Sequence, residues 1–255
     1  MKKQLHYFLT AMLFFTRIPC PQWVNHSSNK LHKSNRYFSL VGIVVGTISA
    51  FAFYMYSLVF SVDIAIVVSM IASIWITGAF HEDGLADVCD GFGGGWTKEK
   101  ILLIMKDSRL GTFGVLGLIN ILALKFLALR ELNNISNNIP LILISGHAIS
   151  RFIASVLLYT HEYVRDDTTS KVKAVTKHMN LKSLLFSFFF GILPLFFFYD
   201  YCVFLTLLPL GLTYCYLGYF YNKWIGGQTG DCAGALQQVS EVIFYLSLIF
   251  IWKLF

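Results

Sequence analysis

Charge is scarce in this chain. Only 13% of its 255 residues are Asp, Glu, Lys or Arg, against 56% that are apolar. That balance lies outside the range of water-soluble globular domains and suits a chain whose solvent is largely lipid. Paired cysteines are missing too: Cys20, Cys89, Cys202, Cys215 and Cys232 form neither a C-x-x-C pair nor a metal-finger spacing, and read as fillers. Nor is there an internal repeat or low-complexity tract to set off a second unit, so residues 1–255 read as one membrane-embedded domain. A cleavage site is lacking as well. Lys2 and Lys3 precede an apolar stretch, but Arg17, Pro19, Pro21 and Trp23 stand where a signal peptide needs small residues, so the segment is expected to be retained.

What is present is a series of long uncharged runs. Tyr37 to Val62 and Ile64 to Phe80 each approach the roughly 20 residues that a helix needs to cross a bilayer. Leu110 to Leu129 is interrupted only by Lys125, and Pro140 to Thr160 only by Arg151. Ser183 to Asn222 is broken by Asp200 into a hairpin, and a last run from about Leu236 to Phe255 starts near water, with Gln237, Gln238 and Glu241. The pattern predicts an all-α, polytopic membrane protein with about six to seven transmembrane helices. Leu5 to Ile18 is too short to cross comfortably and predicts an interfacial or re-entrant helix.

Sixteen of the 20 Lys and Arg fall in the N-terminus and the segments Val24 to Arg36, His81 to Arg109, Glu162 to Lys182 and Asn222 to Gln238. Cytoplasmic loops are the basic ones, so these segments are expected in the cytoplasm and the protein in the inner membrane. The net charge of +6 follows from this asymmetry, and no nucleic-acid partner is needed to account for it.

Against this apolar background, "GAFHEDGLADVCDGFGGGW" concentrates acid. Asp83, Asp87 and Asp90 are spaced i, i+4, i+7, which on a 3.6-residue helix aligns all three. Gly84 and Gly91 form a neighbouring strip where a backbone or ligand can approach, and Glu82 points elsewhere. Aligned carboxylates beside lipid must raise their pKa values or hold a cation. Oxygen donors suit magnesium, manganese or calcium, and magnesium completes its shell with water and substrate phosphates. A phosphate substrate is implied, with Asp83, Asp87 and Asp90 as ligands. His81-Glu82 does not continue as a zinc motif, because position 85 is Leu. "GFGGGWTK" fails both nucleotide-binding fingerprints at Trp96. Gly91, Gly93 and Gly94 are left to form either a mobile phosphate-approach loop or a plain turn.

Two further polar knots flank later spans. In "MKDSRLGTFG", Arg109 offers a fork for phosphate, while Asp107 can complete the metal cage or accept a proton; the alternative is that Lys106 and Arg109 merely anchor a helix at the headgroups. In "GGQTGDCAGALQQVSE", Asp231 suits a helix cap. Glu241 lies deeper and needs a partner, for which Arg151, with His147 one turn earlier, is the candidate.

Together, "HEDGLADVCDG", "DSRLGTFG", "GQTGDCAGA" and "FFTRIPCP" resemble the adenosylcobinamide-GDP ribazoletransferases, the cobalamin (5′-phosphate) synthases, over nearly the whole chain in order and spacing. The family's first motif, roughly H-x-D-G-x-A-D-x-x-D-G, maps onto His81, Asp83, Gly84, Ala86, Asp87, Asp90 and Gly91. A more distant likeness to the CDP-alcohol phosphotransferases breaks at Asp87, where their signature has arginine. The resemblance implies that a hydroxyl of α-ribazole, or of its 5′-phosphate, attacks the phosphorus of adenosylcobinamide-GDP nearest the corrinoid, and GMP leaves. In that setting magnesium would sit on Asp83, Asp87 and Asp90. Arg109, with Arg17, Lys106 and Arg151, would hold phosphate oxygens, and Asp90, Asp107 or Asp231 would be the base.

A membrane cation transporter is the competing reading, since Lys125, Arg151 and Glu241 lie in or beside spans. Repeated halves and broken helices at mid-membrane are not evident, however, and Lys125 is placed to snorkel to the opposite headgroups.

Overall fold

A computed structural model describes residues 2–24, 28–136, 138–165 and 179–254. The basic stretch 166–178, counted above in the charge bias, lies outside them. The described chain is helical, its only extended pairing being an isolated bridge between Tyr163 and Gln228.

In chain order the helices are α1 (Lys2–Phe15), α2 (Ser28–Ser34), α3 (Phe38–Ser57), α4 (Val62–Thr77), α5 (Phe80–Gly94), α6 (Lys98–Ile104), α7 (Thr112–Ile135), α8 (Ile139–Thr160), α9 (Leu181–Ile192), α10 (Leu207–Ile225) and α11 (Gly230–Leu254). Five helical stretches are long and apolar enough to cross a membrane; α4 and α5 would add a sixth only if counted together, and they are bent by 88° where they meet. Leu181–Phe197 is a shorter apolar segment. The expected hairpin turns at Asp200, which accepts a hydrogen bond from the Cys202 N–H at 2.8 Å and opens the 3₁₀ turn Tyr201–Thr206 that leads into α10, but only its second arm is long enough to cross.

α8 is the hub, packed against α3, α9 and α11. α7 and α10 lie at the periphery. Their Leu116, Ile119, Leu127, Leu208 and Leu212 are exposed, as expected where the surrounding solvent is hydrocarbon. At one end Arg130 meets Asp63 at 3.1 Å, Lys253 meets Glu131 at 2.6 Å, and the Trp252 indole N–H donates to Asp200 at 3.1 Å. These ties join the start of α4, the ends of α7 and α11 and the α9–α10 hairpin. α5 and α6 occupy the opposite end, where most of the described basic residues also fall.

The 88° bend has a local cause. Gly78 (φ 65°) and Ala79 (φ 58°) are both left-handed, which closes α4 through N–H bonds to the Trp75 and Ile74 carbonyls and restarts the helix in a new direction. Ala79 is the only non-glycine with positive φ among the described residues, a conformation costing about 1–2 kcal/mol. The chain therefore leaves α4 and runs as α5 across the bundle end. α4 is read as the membrane span and α5 as lying outside it.

The interior corrects the expectation for Lys125. It does not snorkel; it is buried and pairs with Glu241 at 2.6 Å. Glu241 also accepts hydrogen bonds from Gln237 (2.9 Å) and Tyr245 (3.0 Å), with the His147 ring nitrogen 3.4 Å away. Arg151, the expected partner, turns instead to the His147 carbonyl at 2.9 Å. A buried charge is tolerated when it is paired and hydrogen-bonded, and Lys125 meets that need from α7, a helix far away in sequence.

Candidate active site

The i, i+4, i+7 spacing does fall on a helix. On α5, His81, Glu82, Leu85, Ala86 and Val88 face inward, while Asp83 is exposed and Asp87 and Asp90 are half-buried. Glu82 points away from the aspartates, as expected, and accepts a hydrogen bond from Gln238 of α11 at 3.0 Å. His81 stacks on Phe38, with ring centroids 5.6 Å apart.

Gly84 marks where α11 docks. A side chain there would come within 3.0 Å of the Asp231 Cα and 3.1 Å of its carbonyl oxygen, so only glycine lets the start of α11 lie on α5. This close backbone approach brings Asp231 to Asp87. Burial, then the negative charges of Asp231 and Asp83, push the Asp87 carboxyl up to about 7, with Arg165 opposing them and Asp90 adding less.

Asp231 is not the cap of α11. Thr229 takes that role, accepting the Cys232 N–H at 3.2 Å. Asp231 binds Arg165 at 2.6 Å, and the same guanidinium donates to the Met105 carbonyl at 3.0 Å. Arg165 is held there because Val164 N–H bonds the Gln228 carbonyl (3.1 Å) and Gln228 N–H bonds the Glu162 carbonyl (2.8 Å). No sequence motif surrounds Arg165, and only this loop-to-loop pairing reveals it.

Asp90 departs from the expected cage. Its two oxygens accept the backbone N–H groups of Gly111 (2.7 Å) and Gly114 (2.8 Å), capping α7 from another helix. "LGTFG" is therefore read by Asp90, and the first and second knots are joined through a carboxylate and a helix N-terminus. Among the described residues no group of three or more His, Cys, Asp or Glu is arranged to hold a metal ion, so the three aspartates do not form a closed cage.

The other expected site residues disperse. Asp107 and Arg109 pair with each other at 2.6 Å, with the Arg109 side chain 88% exposed. The guanidinium's hydrogen bonds hold the Asp107 carboxyl below its ordinary value, and Asp107 is not among the charges that raise Asp87. Lys106 is exposed beside Met105. Arg17 lies at the α4–α5 hinge, its N–H bonded to the Ile76 carbonyl at 2.7 Å and its side chain over Gly78. Arg151 is only 1% exposed, enclosed in the bundle and away from the acidic face. Gly91, Gly93 and Gly94 belong to the last turns of α5 and not to a loop. Their open sides are taken by Met105, Phe113 and Ile104.

Fold and site define a polytopic helical membrane protein whose carboxylates gather, with one arginine, at the end where its basic segments lie. The chain matches the family model for cobalamin-5-phosphate synthase over residues 7–249. It is 47% identical to the adenosylcobinamide-GDP ribazoletransferase of Shewanella frigidimarina over 97% of this chain and 95% of that one. The proteins of the same description from Shewanella piezotolerans and Shewanella pealeana are 43% and 45% identical, over 98% and 97% of this chain and 97% and 96% of theirs. No solved structure matches. The chain belongs to the cobalamin-5-phosphate synthase family and is a membrane-embedded transferase of cobalamin biosynthesis.

Proposed function

We propose that the protein joins adenosylcobinamide-GDP to α-ribazole, or to α-ribazole 5′-phosphate, yielding adenosylcobalamin or its 5′-phosphate and GMP. The reaction is placed at a magnesium-dependent site on the cytoplasmic face of the inner membrane. The observation that carries this reading is the seating of Asp231 on Gly84, where a side chain would come within 3.0 Å of the Asp231 Cα, which brings a third carboxylate to the face of Asp83 and Asp87 with Arg165 bonded to it at 2.6 Å. That surplus of negative charge, borne by hard oxygen donors, fits a divalent cation with an unfinished coordination shell. Asp83 and Asp87 would hold it, Asp231 stands beside them, and Asp90 is committed to α7.

When bound, magnesium would neutralise charge on the diphosphate and on the departing GMP. The chain's own residues do the remaining work. Asp231 accepts the proton of the ribazole hydroxyl as its oxygen bonds to the phosphorus nearest the corrinoid and the bond from that phosphorus to the GMP oxygen breaks. Arg165 orients Asp231, and its Nε, which has no hydrogen-bond partner among the described residues, can donate to a phosphate oxygen. Arg109, Lys106 and Arg17 supply further cations toward the phosphates; for Arg109 this requires exchanging Asp107 for substrate.

The transporter reading rested on Glu241, Lys125 and Arg151. Glu241 and Lys125 now neutralise each other, which removes its main support. The test uses purified protein in liposomes, scored for GMP release and for ion flux. D83N and D87N are expected to abolish magnesium-dependent GMP release while the helical content stays intact. Full turnover by either variant would remove the metal assignment, and ion flux without GMP release would restore the transporter.

A further inference from the structure

A second charged site lies on a different part of the molecule. A recess of about 430 Å³ between α1, α2 and the start of α9 is lined by Lys3, Tyr7, Lys33, Arg36, Asn180 and Lys182 among others, and no carboxylate lines it among the described residues. Arg36 and Lys33 stand over the Tyr7 ring at 5.4 and 5.8 Å from its centroid. Four cationic side chains are thus collected, with no acid among the described lining residues to balance them.

The recess is distinct from the acidic site. α1 runs from Lys3 at the recess to Phe15, whose ring packs edge-on against Phe80 at the start of α5. Twelve residues at 1.5 Å each separate the two by about 18 Å. Its level in the molecule is set by Arg36, just before the long apolar α3, and by Lys182, in the first turn of α9. With α3 read as a span, that level is the one at which hydrocarbon gives way to lipid phosphates. The flanking Leu5 is 54% exposed and Leu185 56% exposed, giving acyl chains an apolar surface beside the cations.

We propose that this recess binds a phosphate-bearing anion, and that its ligand is the headgroup of an anionic phospholipid. Basic pockets at the ends of transmembrane helices attract such headgroups. Arginine and lysine match phosphate oxygens as a fork and as a point charge, respectively. The inference does not depend on the reaction proposed above.

The test is native mass spectrometry of the detergent-purified full chain, titrated with phosphatidylglycerol or with phosphatidylcholine. Wild type should retain phosphatidylglycerol in preference. Each neutralisation in K33Q, R36Q and K182Q should weaken retention about fivefold, and the three together roughly a hundredfold. The charge-keeping triple K33R/R36K/K182R should retain the lipid, which separates charge from folding, and D87N should retain it too. Equal retention by wild type and the neutralised triple would overturn the proposal. So would a recess that releases no phosphatidylglycerol signal yet saturates with inorganic phosphate or GDP, because its ligand would then be soluble.

Discussion

Arg165 Nη2 lies 2.6 Å from Asp231 Oδ2 and 3.0 Å from the Met105 carbonyl. One guanidinium therefore ties the segment after α8 to the turn after α6 and to the first turn of α11, beside the carboxylate pair Asp83 and Asp87. Replacing it with glutamine would leave three carboxylates with less opposing charge. R165Q is expected to slow GMP release by about 10- to 100-fold and to move the acid-side rise of the pH profile upward, since Asp87 would ionise later. R165K should recover part of the rate. A rate and profile unchanged in R165Q would count against the site as drawn.

Asp87 also carries a stability signature. Its folded value of about 7 exceeds the ordinary 3.8, so the folded protein binds more protons than the unfolded chain between those values. Stability should fall as pH rises through that window and level off above 7. The side chain is only half-buried, so screening reduces the effect to about 1–2 kcal/mol. The melting temperature of detergent-purified wild type should drop between pH 5 and pH 8, and that of D87N much less. Magnesium should restore the loss in wild type at pH 8 and leave D87N unmoved.

Asp90 is predicted to behave as a cap. D90A removes the acceptor for two N–H groups of α7 and should cost about 1–2 kcal/mol of stability, with GMP release at permissive temperature reduced far less than in D87N. Thermal melts and single-temperature rates, measured on the same preparations, check the contrast. A D90A variant that keeps its melting temperature but loses magnesium-dependent turnover would return Asp90 to the ligand set.

The pair of Lys125 and Glu241 offers a test of the interior. K125M strands a buried carboxylate and should destabilise by about 3–5 kcal/mol. Adding E241Q should recover most of that, because the second change removes the uncompensated charge. Denaturation of the two single variants and the double variant would reveal any lack of such coupling.

The helical, polytopic architecture was legible because it depends on runs of uncharged side chains, and lipid imposes helix on any such run through backbone hydrogen bonding. The hairpin at Asp200 was readable for the same reason: one carboxylate in a long apolar run marks where the chain must turn. The 88° turn at Gly78 and Ala79 was not, since an alanine in the left-handed region has no sequence signature. Nor were Gly91, Gly93 and Gly94, whose glycine-rich look suggested a loop although the helix continues through them.

Sequence alone determined that acidic residues would lie on one face of a helix just past a span, because i, i+4, i+7 spacing is a property of a single helix. Only the tertiary structure decided which of them share a site. Asp90 was drawn off to the N-terminus of α7, while Asp231 and Arg165 were brought in from segments far along the chain. The physical reason is that charge interactions and orphan N–H groups act over a few ångströms in space, whatever the distance in sequence.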